Sequence, residues 1–206
     1  MTPRPISNIA ALAFAGSLAL AGAAYAQDAA PSVKSGTYAL EPTHTEVLFG
    51  VSHFGFSTYY GQFPGASGTL TLDAANPAAS HLDVSIPVAG VWTASAKLVE
   101  ELKSADWLDA AAYPTITFHS TKVTLTGPTT ADVTGDLTLH GITHPVTLKA
   151  TFTRGAVFAM TQKYMVGFQV TGDVKRSEFG VSKYVAYGLA DDVQLTISAP
   201  FERTGP

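Results

Sequence analysis

Serine, histidine and aspartate, the parts of a nucleophilic hydrolase, all occur in this chain. A hydrolase elbow reads G-x-S-x-G, because the nucleophile sits on a sharp, strained turn between strand and helix. The segment Gly55-Phe56-Ser57-Thr58-Tyr59 has tyrosine where the last glycine belongs, so no catalytic residue follows from it. His140 and His144 stand four apart, a spacing that puts two metal ligands on one face of a helix. Gly141 between them and Pro145 after them make a turn between strands instead, so histidines in structural hydrogen bonds are expected there and no metal. The chain has no cysteine, which excludes a disulfide framework, a thiolate metal site and a cysteine nucleophile together. No cofactor is called for.

Two polar residues gain interest from their parity. His53 continues the row Val47, Phe49, Val51, so it points inward if those do. Arg176 continues Val170, Gly172 and Val174 in the same way. An inward arginine among apolar side chains must meet an anion, because an unpaired buried charge is very costly. That anion is either a protein carboxylate such as Glu178 or Asp106, or a ligand phosphate suited to the guanidinium fork. His81, His119 and His140 fall on the solvent parity of their strands. A β-bulge upstream would reverse any of these assignments.

The elements that must position these residues are strands. From Gly36 onward apolar and polar residues alternate with period two. Besides the row at Val47, such rows include Leu82 to Val88, Ile116 and Phe118, Val133 to Leu139, Val146 to Phe152, Tyr164 to Val174 and Val193 to Phe201. Eight or nine runs are expected, with turns at Asn76-Pro77 and Gly127-Pro128. One apolar face per strand leaves a two-sheet sandwich or a closed barrel, and long runs with short turns suit an up-and-down antiparallel barrel, filled by side chains or holding one ligand. The rhythm breaks once. Over residues 95–106, Leu98, Val99 and Leu102 fall at helical spacing, which predicts one short helix closing an end of the barrel.

Charged residues make up only 14% of the chain, against about a quarter in an average domain, and with its richness in Thr, Gly and Val this suggests an all-β protein. A net charge of −4 with no basic run disfavours nucleic acid. Arg4, the apolar run from Ile9 to Ala24 and the Ala24-Tyr25-Ala26 site read as a signal peptide over residues 1–26, with a flexible leader over 27–35 and a single domain over 36–203. A periplasmic protein without stable membrane insertion is expected, and a homodimer is left open.

Four stretches together resemble the YceI-like family of exported, lipocalin-like polyisoprenoid-binding proteins. They are His53-Phe54-Gly55-Phe56-Ser57 with Gly61-Gln62-Phe63, then Leu102 to Leu108 continuing through Tyr113 to Thr121, then Gly135 to Val146, and lastly Arg176-Ser177-Glu178-Phe179-Gly180-Val181. Where the family often carries Arg-Asp and a histidine just before the counterpart of Leu102, this chain has Leu98, Val99 and Glu101. The resemblance implies an eight-stranded lipocalin-like barrel whose apolar cavity takes a polyisoprenoid, an isoprenoid quinone or another long-chain amphiphilic lipid. On that reading the expected ligand-binding residues are the aromatics Phe49, Phe54, Phe56, Phe63, Trp107, Phe118, Phe168 and Phe179, with the inward-facing Val51, His53, Val166 and Arg176. A dense aromatic set also suits plain core packing, and it is the resemblance that favours a binding role. Two alternatives stand beside the carrier: an enzyme acting on a lipid-like substrate in the same cavity, and a partner module of an inner-membrane redox protein.

Overall fold

A computed structural model describes residues 33–205, so the signal segment expected over 1–26 and most of the leader lie outside the described residues. The chain runs β1 (Gly36–Leu40), β2 (Glu46–His53), β3 (Ser57–Gln62), β4 (Ser67–Leu72), β5 (His81–Pro87), β6 (Trp92–Thr93), α1 (Ala96–Lys103), β7 (Thr115–Leu125), β8 (Thr130–Leu139), β9 (Ile142–Val157), β10 (Tyr164–Lys175) and β11 (Asp192–Arg203). All ladders are antiparallel. The order β1-β4-β5-β7-β8-β9-β10-β11 returns to β1 through a β1–β11 pairing, so eight strands close a barrel. Closure leaves no open edge in that ring.

The three remaining strands extend the wall. β11 pairs with β1 through Phe201–Arg203 and with β2 through Val193–Ser198, so β1 and β2 lie end to end along it. β3 continues beside β2, and β6 beside β3. No ladder joins β6 to β7 among the described residues. The chain between them is α1 and the turns carrying Trp107 and Leu108, which pack with Val88, Ile116 and Val181 into one apolar cluster. A second cluster, around Tyr38, Val166, Leu70 and Phe201, packs toward the other end of the barrel. The β2–β3 hairpin tip marks the upper end of the barrel.

Local chemistry explains the boundaries. The Ser95 side chain caps α1 by accepting from the Leu98 N–H at 3.3 Å. The helix expected as far as residue 106 stops at Lys103, because Ser104 turns extended and both its N–H and its hydroxyl donate to the Glu101 carbonyl. His140 and Gly141 join Leu139 to Ile142 with φ of +52° and +74°, the two consecutive positive values that a tight hairpin loop of this twist requires. The histidine pair therefore sits on a hairpin, with His140 Nδ1 3.2 Å from the Phe179 carbonyl oxygen. Two ladders are irregular, between Ser120 and Lys122 of β7 and opposite Gly167 and Phe168 of β10, where Thr153 of β9 is the extra residue.

Candidate functional site: a cavity along the barrel

The inward rows do not meet across the barrel axis. They surround a cavity of about 1040 Å³ whose lining is overwhelmingly apolar. That is near the upper end of the 300–1,000 Å³ usual for small-molecule sites. Phe49 and Val51 of β2 contribute to its wall, as do Phe63, Phe118 of β7 and Phe168 of β10. Rings hold each other in place: Phe168 meets Phe152 edge-on at 5.6 Å and Phe201 at 6.1 Å, while Phe49 and Phe63 are 5.3 Å apart. Phe118 can lie flat to the wall because Gly135 faces it, where a Cβ would come within 2.4 Å of the ring. At the upper end His53 and Phe54 enter the lining, their rings 4.8 Å apart.

Arg176 and Trp107 are buried polar residues of that upper end, and His53, Ser95, Lys97 and Glu101 also enter the lining. Arg176 is 5% exposed and lines the cavity. Its Nε donates to the Ala190 carbonyl at 3.0 Å and its Nη1 to the Val181 carbonyl at 2.7 Å. The guanidinium carbon stands 5.5 Å from the centre of the Trp107 ring. Of the carboxylates considered for it, Asp106 instead accepts from Lys183 at 2.6 Å, and Glu178 makes no ion pair with Arg176 among the described residues. Burial pulls the Arg176 pKa below its ordinary value, and the negative charge of Asp191 opposes that. Burial would raise Asp191 in turn, but hydrogen bonds from the Ser177 hydroxyl and N–H, with Lys175 and Arg176 nearby, hold it below the usual carboxylate range.

A YceI-like domain model matches residues 38–201. The chain belongs to the YceI-like family. A UPF0312 protein of Pseudomonas savastanoi pv. phaseolicola is 40% identical over 176 residues, covering 84% of this chain and 86% of the relative. One from Ectopseudomonas mendocina is 39% identical over 195 residues, covering 94% and 96%. Among solved structures, Burkholderia cenocepacia BcnA superposes with a TM-score of 0.70 at 25% identity, covering 78% of this chain and 98% of that one. The Campylobacter jejuni YCEI protein gives 0.62 at 28%, covering 70% and 84%. A polyisoprenoid binding domain from Saccharophagus degradans shares the fold, with a TM-score of 0.59 at 16% identity over 83% of this chain and all of that one.

Not every residue expected at the site of this YceI-like barrel reaches the cavity. Phe56 is 90% exposed at the hairpin tip. Val166 is buried in the lower cluster, beyond the cavity lining. Phe179 is buried too, with its ring edge-on to His144 at 5.4 Å. Other lining residues escaped notice in the sequence. Val123 and Leu125 line the cavity because the bulge in β7 flips the parity that Ile116 and Phe118 set. Leu98 and Leu102 show that α1 supplies wall as well as cover, and their helical stripe was the signal for that. Tyr184 and Leu189 arrive on a loop with no periodicity to betray them. The His119–Asp83 and His44–Glu41 contacts, 2.7 Å each, lie outside the cavity lining. Among the described residues no three His, Asp or Glu side chains form a metal-sized group, and no helix is long and apolar enough to cross a membrane.

Proposed function

We propose that this YceI-like protein is an exported carrier that sequesters a long-chain isoprenoid lipid, such as a polyprenyl compound or an isoprenoid quinone, making and breaking no bond. The observation that carries the reading is the 1040 Å³ apolar cavity enclosed by a closed barrel. Transfer of one CH₂ from water into such a space is worth about 0.8 kcal/mol. A five-carbon isoprene unit therefore contributes roughly 3–4 kcal/mol before ordering costs, and a few units suffice for tight binding. The Saccharophagus degradans polyisoprenoid binding domain supports the same reading through a shared architecture. The Ala24-Tyr25-Ala26 site supports export to the periplasm.

A chain-length series tests it. Affinity for prenols of increasing length should rise with each isoprene unit and level off once the cavity is full. Lipid extraction and mass spectrometry of protein from its native host should release a long-chain isoprenoid at near-stoichiometric yield. Binding that ignores chain length would sink the carrier reading.

A further inference from the structure

A carrier of isoprenoids must first take one up. Each isoprene unit lowers the amount free in water, relative to a lipid phase, by roughly a hundredfold or more. A chain of several units therefore does not reach the cavity through water at a useful rate, and one end of the barrel has to meet the bilayer. The two ends differ. At the upper end the β2–β3 turn and the loop of residues 180–190 lie against each other. The Ala190 N–H donates to the Ser52 carbonyl at 3.1 Å, and a Cβ at Gly188 would stand 3.6 Å from the Phe54 ring. Together they present four exposed rings: Phe54, Tyr184, Phe56 at 90% and Tyr187 at 79%. Phe54 and Tyr184 also line the cavity, so the rings stand at its mouth. Both hold positive φ, +54° and +63°, which a bulky side chain adopts only at a cost, and such strain collects at functional sites. Residues 52–63 contain no Asp, Glu, Lys or Arg, and residues 179–190 contain only Lys183, which Asp106 neutralises at 2.6 Å. At the opposite end the exposed lining residues of the β7–β8 turn, Leu125, Pro128 and Thr129, bear no aromatic ring.

We infer that this aromatic rim docks on the surface of a lipid bilayer and takes up the isoprenoid there. This rests on the carrier reading and says where the ligand enters. Tyrosine, with an apolar body and a polar tip, suits the boundary between head groups and acyl chains. Phe54 and Phe56 are apolar throughout and enter the acyl side of that boundary. Loops whose one charge is already paired settle without desolvating a lone ion, and they neither require nor repel anionic head groups. With the rim seated, the mouth faces the acyl region, and the chain passes from one apolar phase to another without crossing water. Aromatic rings also suit protein interfaces, but the bilayer is where the ligand dissolves.

The test follows geranylgeraniol, a prenol of four isoprene units, from vesicles to the full barrel. Phosphatidylcholine vesicles, with or without phosphatidylglycerol, should carry the protein to a similar extent on flotation, and the transfer rate should rise with vesicle concentration. Phe56→Asp combined with Tyr187→Asp alters two exposed residues outside the cavity lining. It should end flotation and slow transfer by about tenfold or more. Geraniol, with two units, reaches the cavity from water and should bind the double variant as tightly as wild type, which shows that the barrel is intact. Met160→Asp, at an exposed position on the β9–β10 turn of the opposite end, is the control and should behave as wild type. If the double variant does not fold, wild-type flotation and the dependence on vesicle concentration still decide. A rate independent of vesicle concentration, a double variant that loads as fast as wild type, or equal slowing by Met160→Asp overturns the docking surface and leaves the carrier reading intact. Uptake from native membranes but not from vesicles of lipid alone replaces the bilayer by a protein partner and overturns it too. Failure of wild type to bind either prenol overturns the carrier reading itself.

Discussion

Gly55 and Gly141 hold nearly the same backbone conformation, with φ of +77° and +74°, but only Gly141 lies under a neighbour. A Cβ at Gly141 would stand 2.4 Å from the Tyr113 ring, whereas at Gly55 nothing lies within 4 Å. Gly55→Ala should therefore cost only the left-handed penalty, about 1–2 kcal/mol. Gly141→Ala adds overpacking and should cost about 3 kcal/mol. Urea denaturation of the two variants measures the difference, and equal losses would mean that Tyr113 moves freely. Single residues of the cavity were legible to the extent that their strand kept its alternation. Phe49, Val51 and His53 follow one row of β2 into the cavity. Phe56 escapes because it lies past the hairpin turn, where Phe54 and Gly55 take positive φ and parity no longer applies.

The segment from Arg176 to Asp191 works as one element although it contains only 3₁₀ turns. It is pinned at both ends of its loop by Asp191, which accepts from the Ser177 N–H at 2.9 Å and hydroxyl at 2.7 Å. Because the folded-state pKa of Asp191 is depressed, its contribution is complete above the unfolded value of about 3.9 and is lost as pH falls through the folded value. Asp191→Asn should be less stable than wild type at neutral pH by roughly 1 kcal/mol. The gap should close as pH drops below about 4. Thermal melts across that range check this, and a constant gap would show that shape, not charge, is what Asp191 supplies. Strand identity and helix α1 were readable from periods of two and 3.6, since both are local. The bulge in β7 was not, because an extra residue shows only against the partner strand that leaves it unpaired.

Across the whole molecule, export and carriage make one physical proposal: a chain that leaves the cytoplasm and shields an apolar ligand from water. Amino-terminal sequencing of exported protein should begin at Gln27, after Ala24-Tyr25-Ala26. A membrane-held chain beginning at Met1 would overturn that. Alternation, the lack of cysteine and low charge are properties of the chain alone. They were enough for strands with one apolar face each and one helix near residue 95, because each strand declares its own buried face, while long runs with short turns favoured a barrel over a sandwich. Whether eight such faces interdigitate or stand apart depends on how far the wall curves, on β1 and β2 sharing β11, and on α1 filling the interval between β6 and β7. Those are relations across the barrel that no single strand's alternation records. Trp107 and Arg176 likewise show why: nothing local marks either side chain as a donor without a partner, and only the closed barrel sets them 5.5 Å apart at the end of an apolar cavity.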